Sequence, residues 1–178
     1  MTDNEMKQVK MHSDFFERCE FAIESGYYLE AILMEYAAIE SRLEAICGVL
    51  SFPCGRDCDC RERIMISDRI ECLRVYRNKN KNVFSGSKLP DNFFTGKGKL
   101  KTWILERNKR VHGLYKNEED FQMKIDMNRK LAEDGYTYAR LLYNETKRLR
   151  RLRKGHIELF DNAICKCKNE NCNAYIGD

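Results

Sequence analysis

Apolar residues recur at spacings of three and four along most of the chain. From Tyr27 to Leu50 the rhythm runs through Leu29, Ile32, Tyr36, Ile39, Leu43, Ile46 and Leu50, which predicts a long helix with one buried stripe. Before it, Phe15, Phe16, Cys19 and Ile23 share a face, with Ser13 as a cap and Gly26 as a stop, so a shorter helix is predicted there. So short a break implies two antiparallel helices. A third helix is predicted over Arg61 to Arg77, carrying Ile64, Ile66, Ile70, Leu73 and Tyr76. The polar stretch from Asn78 to Lys99 then reads as a long loop. A fourth helix, Leu100 to Val111, places Leu100, Trp103, Ile104 and Val111 inward and stops at His112-Gly113. The fifth, Glu118 to Arg153, turns Phe121, Ile125, Leu131, Tyr138, Leu142, Leu149 and Leu152 inward, with Gly135 as the place for a break.

These elements predict an all-α, antiparallel helical bundle of four to five main helices, with a long loop at about 78–99. Residues 1–155 read as one bundle domain and 156–178 as its Cys-rich C-terminal extension. Composition agrees, since 43% hydrophobic and 34% charged residues with only 2 Pro disfavour both disorder and a turn-rich β-sandwich. No window approaches 18 uncharged apolar residues, and the opening MTDNEMKQVK lacks the apolar core of a secretory leader. A cytoplasmic protein with no membrane contact is expected. Nine cysteines are an odd number and, without an export signal, point to thiols or metal ligands rather than a disulfide framework.

Charge is segregated along the chain. Residues 1–73 carry 8 Lys/Arg against 15 Asp/Glu, residues 74–110 carry 11 against 2, and residues 111–178 carry 13 against 11. The middle segment, at +9, suits a polyanion, and nucleic acid is the commonest polyanion available to a cytosolic protein. A solvated basic loop is the plain alternative. A second basic run, Lys147 to Lys154, has six cations in eight residues and no acid, so Leu149 and Leu152 can pack while the cations fan outward. Phe93, Phe94 and Trp103 are candidates for stacking on bases, although Trp103 at helical spacing also suits a core.

The sharpest chemical feature is Arg107-Asn108-Lys109-Arg110-Val111-His112 at the end of the fourth predicted helix. RNA carries its own nucleophile, the 2′-OH, so cleavage needs a group that moves protons and a cation for the charge growing on phosphate. Imidazole titrates near neutral pH, and guanidinium forks onto phosphate oxygens while staying charged. No metal is required by that chemistry. Residues five apart on an ideal helix differ by about 140° in azimuth, so the pair does not share a face unless the helix ends at His112 and the imidazole turns back. A cationic imidazole capping a helix C-terminus is the plain reading of His112.

This segment resembles the R-x4-6-H signature of the HEPN ribonucleases. Asn108 matches the polar residue that family often places after the Arg, and Val111 the apolar residue before the His. Residues 28–50 also resemble the long helix of its all-helical bundle. The resemblance implies a HEPN-like fold and a metal-independent endoribonuclease, with Arg107, His112 and Asn108 as catalytic residues. It implies a 2′,3′-cyclic phosphate and a 5′-OH as products. It further implies a homodimer whose composite cleft holds both copies of the motif, and a toxin or antiviral defence role with an antitoxin or defence-system partner. The toxin members paired with nucleotidyltransferase antitoxins have R-x4-H-x-Y, whereas Tyr115 here stands three residues after His112. An acidic residue from another helix is often used in the family, and both Glu35 and Glu40 are candidates. Lys109, Arg110, Lys101, Arg150 and Arg151 are the candidate RNA-binding cations. Arg151 and His156 repeat the spacing but lack both the Asn and the apolar neighbour. A catalytically silent module of the same fold, binding RNA or a protein, is the alternative function.

No cofactor is expected. Cys54, Cys58, Cys60, Cys165, Cys167 and Cys172 nevertheless fall outside the predicted helices, and four such thiolates could hold a structural zinc if the two groups met. Cys19, Cys47 and Cys72 lie within predicted helices and read as small core residues. A Cys-rich, metal-dependent interaction domain is a third reading.

Overall fold

A computed structural model describes residues 3–50, 65–95, 98–113 and 121–160. Helices α1 (Asp3–Glu24), α2 (Tyr28–Val49), α3 (Ile66–Lys79), α4 (Lys81–Phe84), α5 (Lys99–Gly113) and α6 (Phe121–Gly155) are followed by a 3-10 turn, Ile157–Phe160. Among the described residues there is no strand, and the fold is the all-α helical bundle that the periodicity predicts. The residues group into two compact units, Met1–Ala38 with Trp103–Ala139, and Ile39–Thr102 with Arg140–Asp178.

Two helix boundaries differ from expectation for local reasons. Helix α1 starts at Asp3 instead of near Ser13. Ser13 is a mid-helix residue, and its hydroxyl donates to Glu17 Oε1 one turn later at 3.0 Å rather than to a backbone end. Gly26 does end the helix, with φ +79°, a left-handed conformation that a side chain would strain. Helix α3 begins at Ile66, where the Asp68 carboxylate accepts the Met65 N–H at 3.1 Å and so caps the first turn.

The polar stretch after α3 is not a free loop. Val83, Phe84, Leu89, Phe93 and Phe94 are all buried, and the rings of Phe93 and Phe94 meet edge to face at 5.2 Å. Irregular backbone can pack only if its carbonyls find donors. Two arginines supply them: Arg77 donates to the carbonyls of Pro90 at 2.8 Å and Leu89 at 3.1 Å, and Arg148 to that of Val83 at 2.8 Å. The remaining core of this second unit comes from Ile39, Leu43, Ile46 and Leu50 of α2, Ile70 and Leu73 of α3, Leu100, and Leu142 and Leu149 of α6.

In the first unit the core is smaller and contains a polar group. Cys19, Ala22, Ala31, Ile32, Trp103, Ile104, Leu131, Ala132 and Ala139 are buried, and so is Glu35. Helix α6 runs unbroken through Gly135, contrary to the expected break. The glycine has a packing role. Trp103 Nε1 donates to the Leu131 carbonyl at 2.7 Å, and one turn further on a Cβ at residue 135 would stand 2.6 Å from Trp103 Cζ2 and collide with Glu35 Oε2. Gly135→Ala should therefore lower stability by about 1–2 kcal/mol despite alanine's helix propensity, because the indole is held by its hydrogen bond and cannot yield. Gly48, with open space around its Cα, is the control: Gly48→Ala should be neutral or add up to about 1 kcal/mol. Urea denaturation of the two variants measures both effects.

Candidate active site

Helix α5 carries Arg107, Asn108, Lys109, Arg110 and His112, all within the first unit. Its apolar residues Trp103 and Ile104 are buried, which fixes the rotation of the helix and turns Leu105 and Lys109 outward. Arg107 is half-buried, and its guanidinium carbon lies 4.1 Å from the centroid of the Tyr36 ring of α2. Arg107 Nη1 donates to Asn108 Oδ1 at 2.9 Å. Its Nε is buried without a partner, and among the described residues no carboxylate pairs with it. The cation is thus oriented by a π-face and an amide oxygen, and keeps donor capacity for an external acceptor.

His112 is exposed in the last turn of α5. Helix α5 ends at Gly113, at the His112-Gly113 stop that the sequence predicts, and His112 is itself still helical. The imidazole therefore keeps the helical azimuth, about 140° from Arg107 and about 7.5 Å further along the axis. Among the described residues no hydrogen bond joins the two. Asn108 lies at an intermediate azimuth, about 100° from Arg107, so its hydrogen bond draws the guanidinium toward the His112 side of the helix. Lys109 is exposed and pairs with Glu106 at 2.6 Å, while Arg110 Nη2 reaches Met127 Sδ at 3.0 Å. Lys101, Arg150 and Arg151 are exposed and belong to the second unit.

Several expectations are corrected by burial. Phe93, Phe94 and Trp103 are enclosed, so none offers a face to a base. Part of the basic middle segment is spent internally, with Arg74 paired to Glu71, and Arg77 to Asp91 at 3.1 Å. Cys19 is fully buried, as the core reading expects, whereas Cys47 is only half-buried; burial pushes each thiol up to about 12. Tyr115 and the cysteines at 54, 58, 60, 165, 167 and 172 lie outside the described residues. Among the described residues no group of three or more His, Cys, Asp or Glu is placed to hold a metal.

The two acidic candidates separate clearly. Glu40 belongs to the second unit and faces Arg69 at 4.0 Å. Glu35 is fully buried between Gly135 and Trp103, and neither carboxylate oxygen has a partner among the described residues. The 3–4 spacing predicts Tyr36 on the buried stripe; the structure puts Glu35 there and Tyr36 at its edge, under Arg107. A signal existed, since Glu35 stands three residues after Ile32 and four before Ile39, an acid on an apolar stripe.

Burial holds the Glu35 carboxyl neutral, pushing its pKa up to about 9 from 4.5. The folded state therefore binds a proton that the unfolded state releases, and stability falls as pH rises from about 4.5 to about 9, with a cost on the order of 3 kcal/mol by pH 7. Glu35→Gln, which stays neutral, should flatten that part of the profile and match or exceed the wild type above pH 8. Thermal melts of both proteins from pH 5 to 9 test this; parallel profiles would place an ionised carboxylate in the core. No protein-family model matches the chain, no curated protein matches its sequence, and no solved structure matches its fold.

Proposed function

We propose that the protein is a metal-independent endoribonuclease of HEPN type, acting as a homodimer. The observation that carries this reading is the state of Arg107: a half-buried guanidinium oriented by Tyr36 and Asn108, with no carboxylate partner among the described residues, one turn and a half before an exposed His112. Arg107 would hold the phosphate and stabilise its developing charge, and His112 would move the proton of the attacking 2′-OH or of the 5′-oxygen leaving group. The azimuth between them explains why a dimer is part of the reading. One protomer presents His112 on the same face as Leu105, about 20° apart, and Leu105 is 53% exposed. A two-fold contact through that face would bring a second motif to the same cleft. A toxin or defence role, with an antitoxin or other protein partner, follows from the family resemblance alone.

Purified protein should cut single-stranded RNA in EDTA to 2′,3′-cyclic phosphate ends. Arg107→Ala and His112→Ala should each lose roughly 10²- to 10⁴-fold of the rate with unchanged circular dichroism. His156→Ala, the histidine of the repeated spacing, should keep its activity. If wild type and His112→Ala cut equally, or neither cuts, the silent binding module becomes the better reading.

Assembly has its own test. Light scattering should show a dimer, and Leu105→Asp should give a folded monomer with little cleavage. Full activity from a wild-type monomer would end the composite-site reading.

A further inference from the structure

The second unit holds a group of cations that packing does not consume. Within it, Arg148 pairs with Glu145 at 2.7 Å and donates to the Val83 carbonyl, Arg153 donates to the Val49 carbonyl at 2.7 Å, Arg77 pairs with Asp91, and Arg69 faces Glu40. Arg42, Lys147 and Arg150 differ. Among the described residues none of the three has a carboxylate partner, and the hydrogen bond of Arg42 goes only to the neighbouring Ser41 hydroxyl at 3.3 Å.

A tyrosine organises two of them. Arg42 of α2 and Lys147 of α6 both lie against the Tyr143 ring, at 6.0 Å and 4.4 Å from its centroid. Tyr143, Lys147, Arg150 and Lys154 fall within about 60° of azimuth on α6 and extend about 16 Å along it. Glu145 is on the opposite side of the helix, buried and paired with the half-buried Arg148, and the sequence has no acid from Thr146 to Ile157. The cluster is electrostatically unbalanced: burial, and then the nearby charge of Arg150, lower the pKa of Arg42. Like charges held in proximity on packed helices are relieved by an anion between them, and a phosphate bridging Arg42 and Arg150 supplies that relief.

We propose that Arg42, Lys147 and Arg150, arranged around Tyr143, form a docking site for backbone phosphates of RNA, read without regard to base sequence. The proposal rests on the reading that RNA is the substrate and deepens it by naming where the backbone is held in the second unit. Sequence independence follows from the aromatic ring itself, which is engaged by two cations and is not a platform for a base.

The test measures binding rather than cleavage, so its failure is separate from failure of the catalytic assignment. Fluorescence anisotropy is recorded in EDTA with two single-stranded RNAs of equal length and unrelated sequence, on protein carrying His112→Ala. Adding Lys147→Gln and Arg150→Gln, both at exposed positions, should weaken binding of both RNAs by roughly tenfold at low salt and reduce the salt slope by about 1.4. Adding Arg42→Gln should bring the reduction to roughly 2. The control pair Lys81→Gln and Lys88→Gln, also exposed and in the same unit, removes the same charge elsewhere and should leave the slope nearly unchanged. The proposal is overturned if the slope is the same in all variants, if the control pair weakens binding equally, or if only one of the two RNAs is affected. It is also overturned if inorganic polyphosphate binds through these residues while neither RNA binds at all.

Discussion

The first unit depends on a side chain that is absent. Because residue 135 is glycine, the indole of Trp103 can lie against α6 and its N–H can reach the Leu131 carbonyl. That contact pins α5 by its largest buried residue, and the azimuth of every later residue on α5 follows from it. Arg107 meets the Tyr36 ring, and His112 is left in solvent, because Trp103 cannot rotate away. The same approach encloses Glu35. Burying a neutral carboxyl that has no partner among the described residues costs free energy that the burial of Trp103, Ile32 and Ile104 must offset, at about 1.5–3 kcal/mol for each large apolar side chain.

In the second unit the arginines decide what packs. The stretch 80–95 has too little regular structure to satisfy its own carbonyls, and the guanidinium groups of Arg77 and Arg148 satisfy them from neighbouring helices. A fork of five donors suits this task, where lysine would offer only a mobile ammonium. Net charge along the sequence is therefore a poor guide to the field outside the protein. Part of the +9 carried by residues 74–110 holds internal carbonyls or pairs with acids, while Lys147 and Arg150, in a segment of nearly balanced charge, stay exposed and have no carboxylate partner among the described residues.

Helical periodicity made the fold class legible, together with the stop at Gly26 and much of the buried stripes of α2, α5 and α6, although Val111, Ile125, Tyr138 and Leu152 are only half-buried. What it missed has physical causes. A polar composition at 78–99 reads as a solvated loop, since nothing local to it shows that Arg148, far along the chain, will satisfy Val83. Gly135 reads as a helix break because glycine's backbone freedom is visible in sequence, whereas a close approach to Trp103 is not. On α2, Ile32, Glu35 and Ile39 fit the 3–4 rhythm as well as Ile32, Tyr36 and Ile39 do, and ordinary hydrophobicity chose the tyrosine. The motif residues were legible as a spacing; their orientation was not, because Tyr36 and Arg107 lie far apart in the sequence and on different helices.

In the reading proposed above, both units solve the same electrostatic problem in the same way. A cation meant to stay available for an anion needs orientation without neutralisation, and a carboxylate partner would supply the first at the cost of the second. A tyrosine ring holds a guanidinium or ammonium through its quadrupole and leaves the formal charge in place. Arg107 lies on Tyr36, and Arg42 and Lys147 lie on Tyr143. Glu35 fits this pattern from the other side. It adjoins Tyr36 in the chain, yet burial keeps its carboxyl neutral at neutral pH, so it does not compete with a phosphate for Arg107. In the reading proposed above, the protein prepares its cations for phosphate by giving them aromatic partners and by keeping the nearest buried acid protonated.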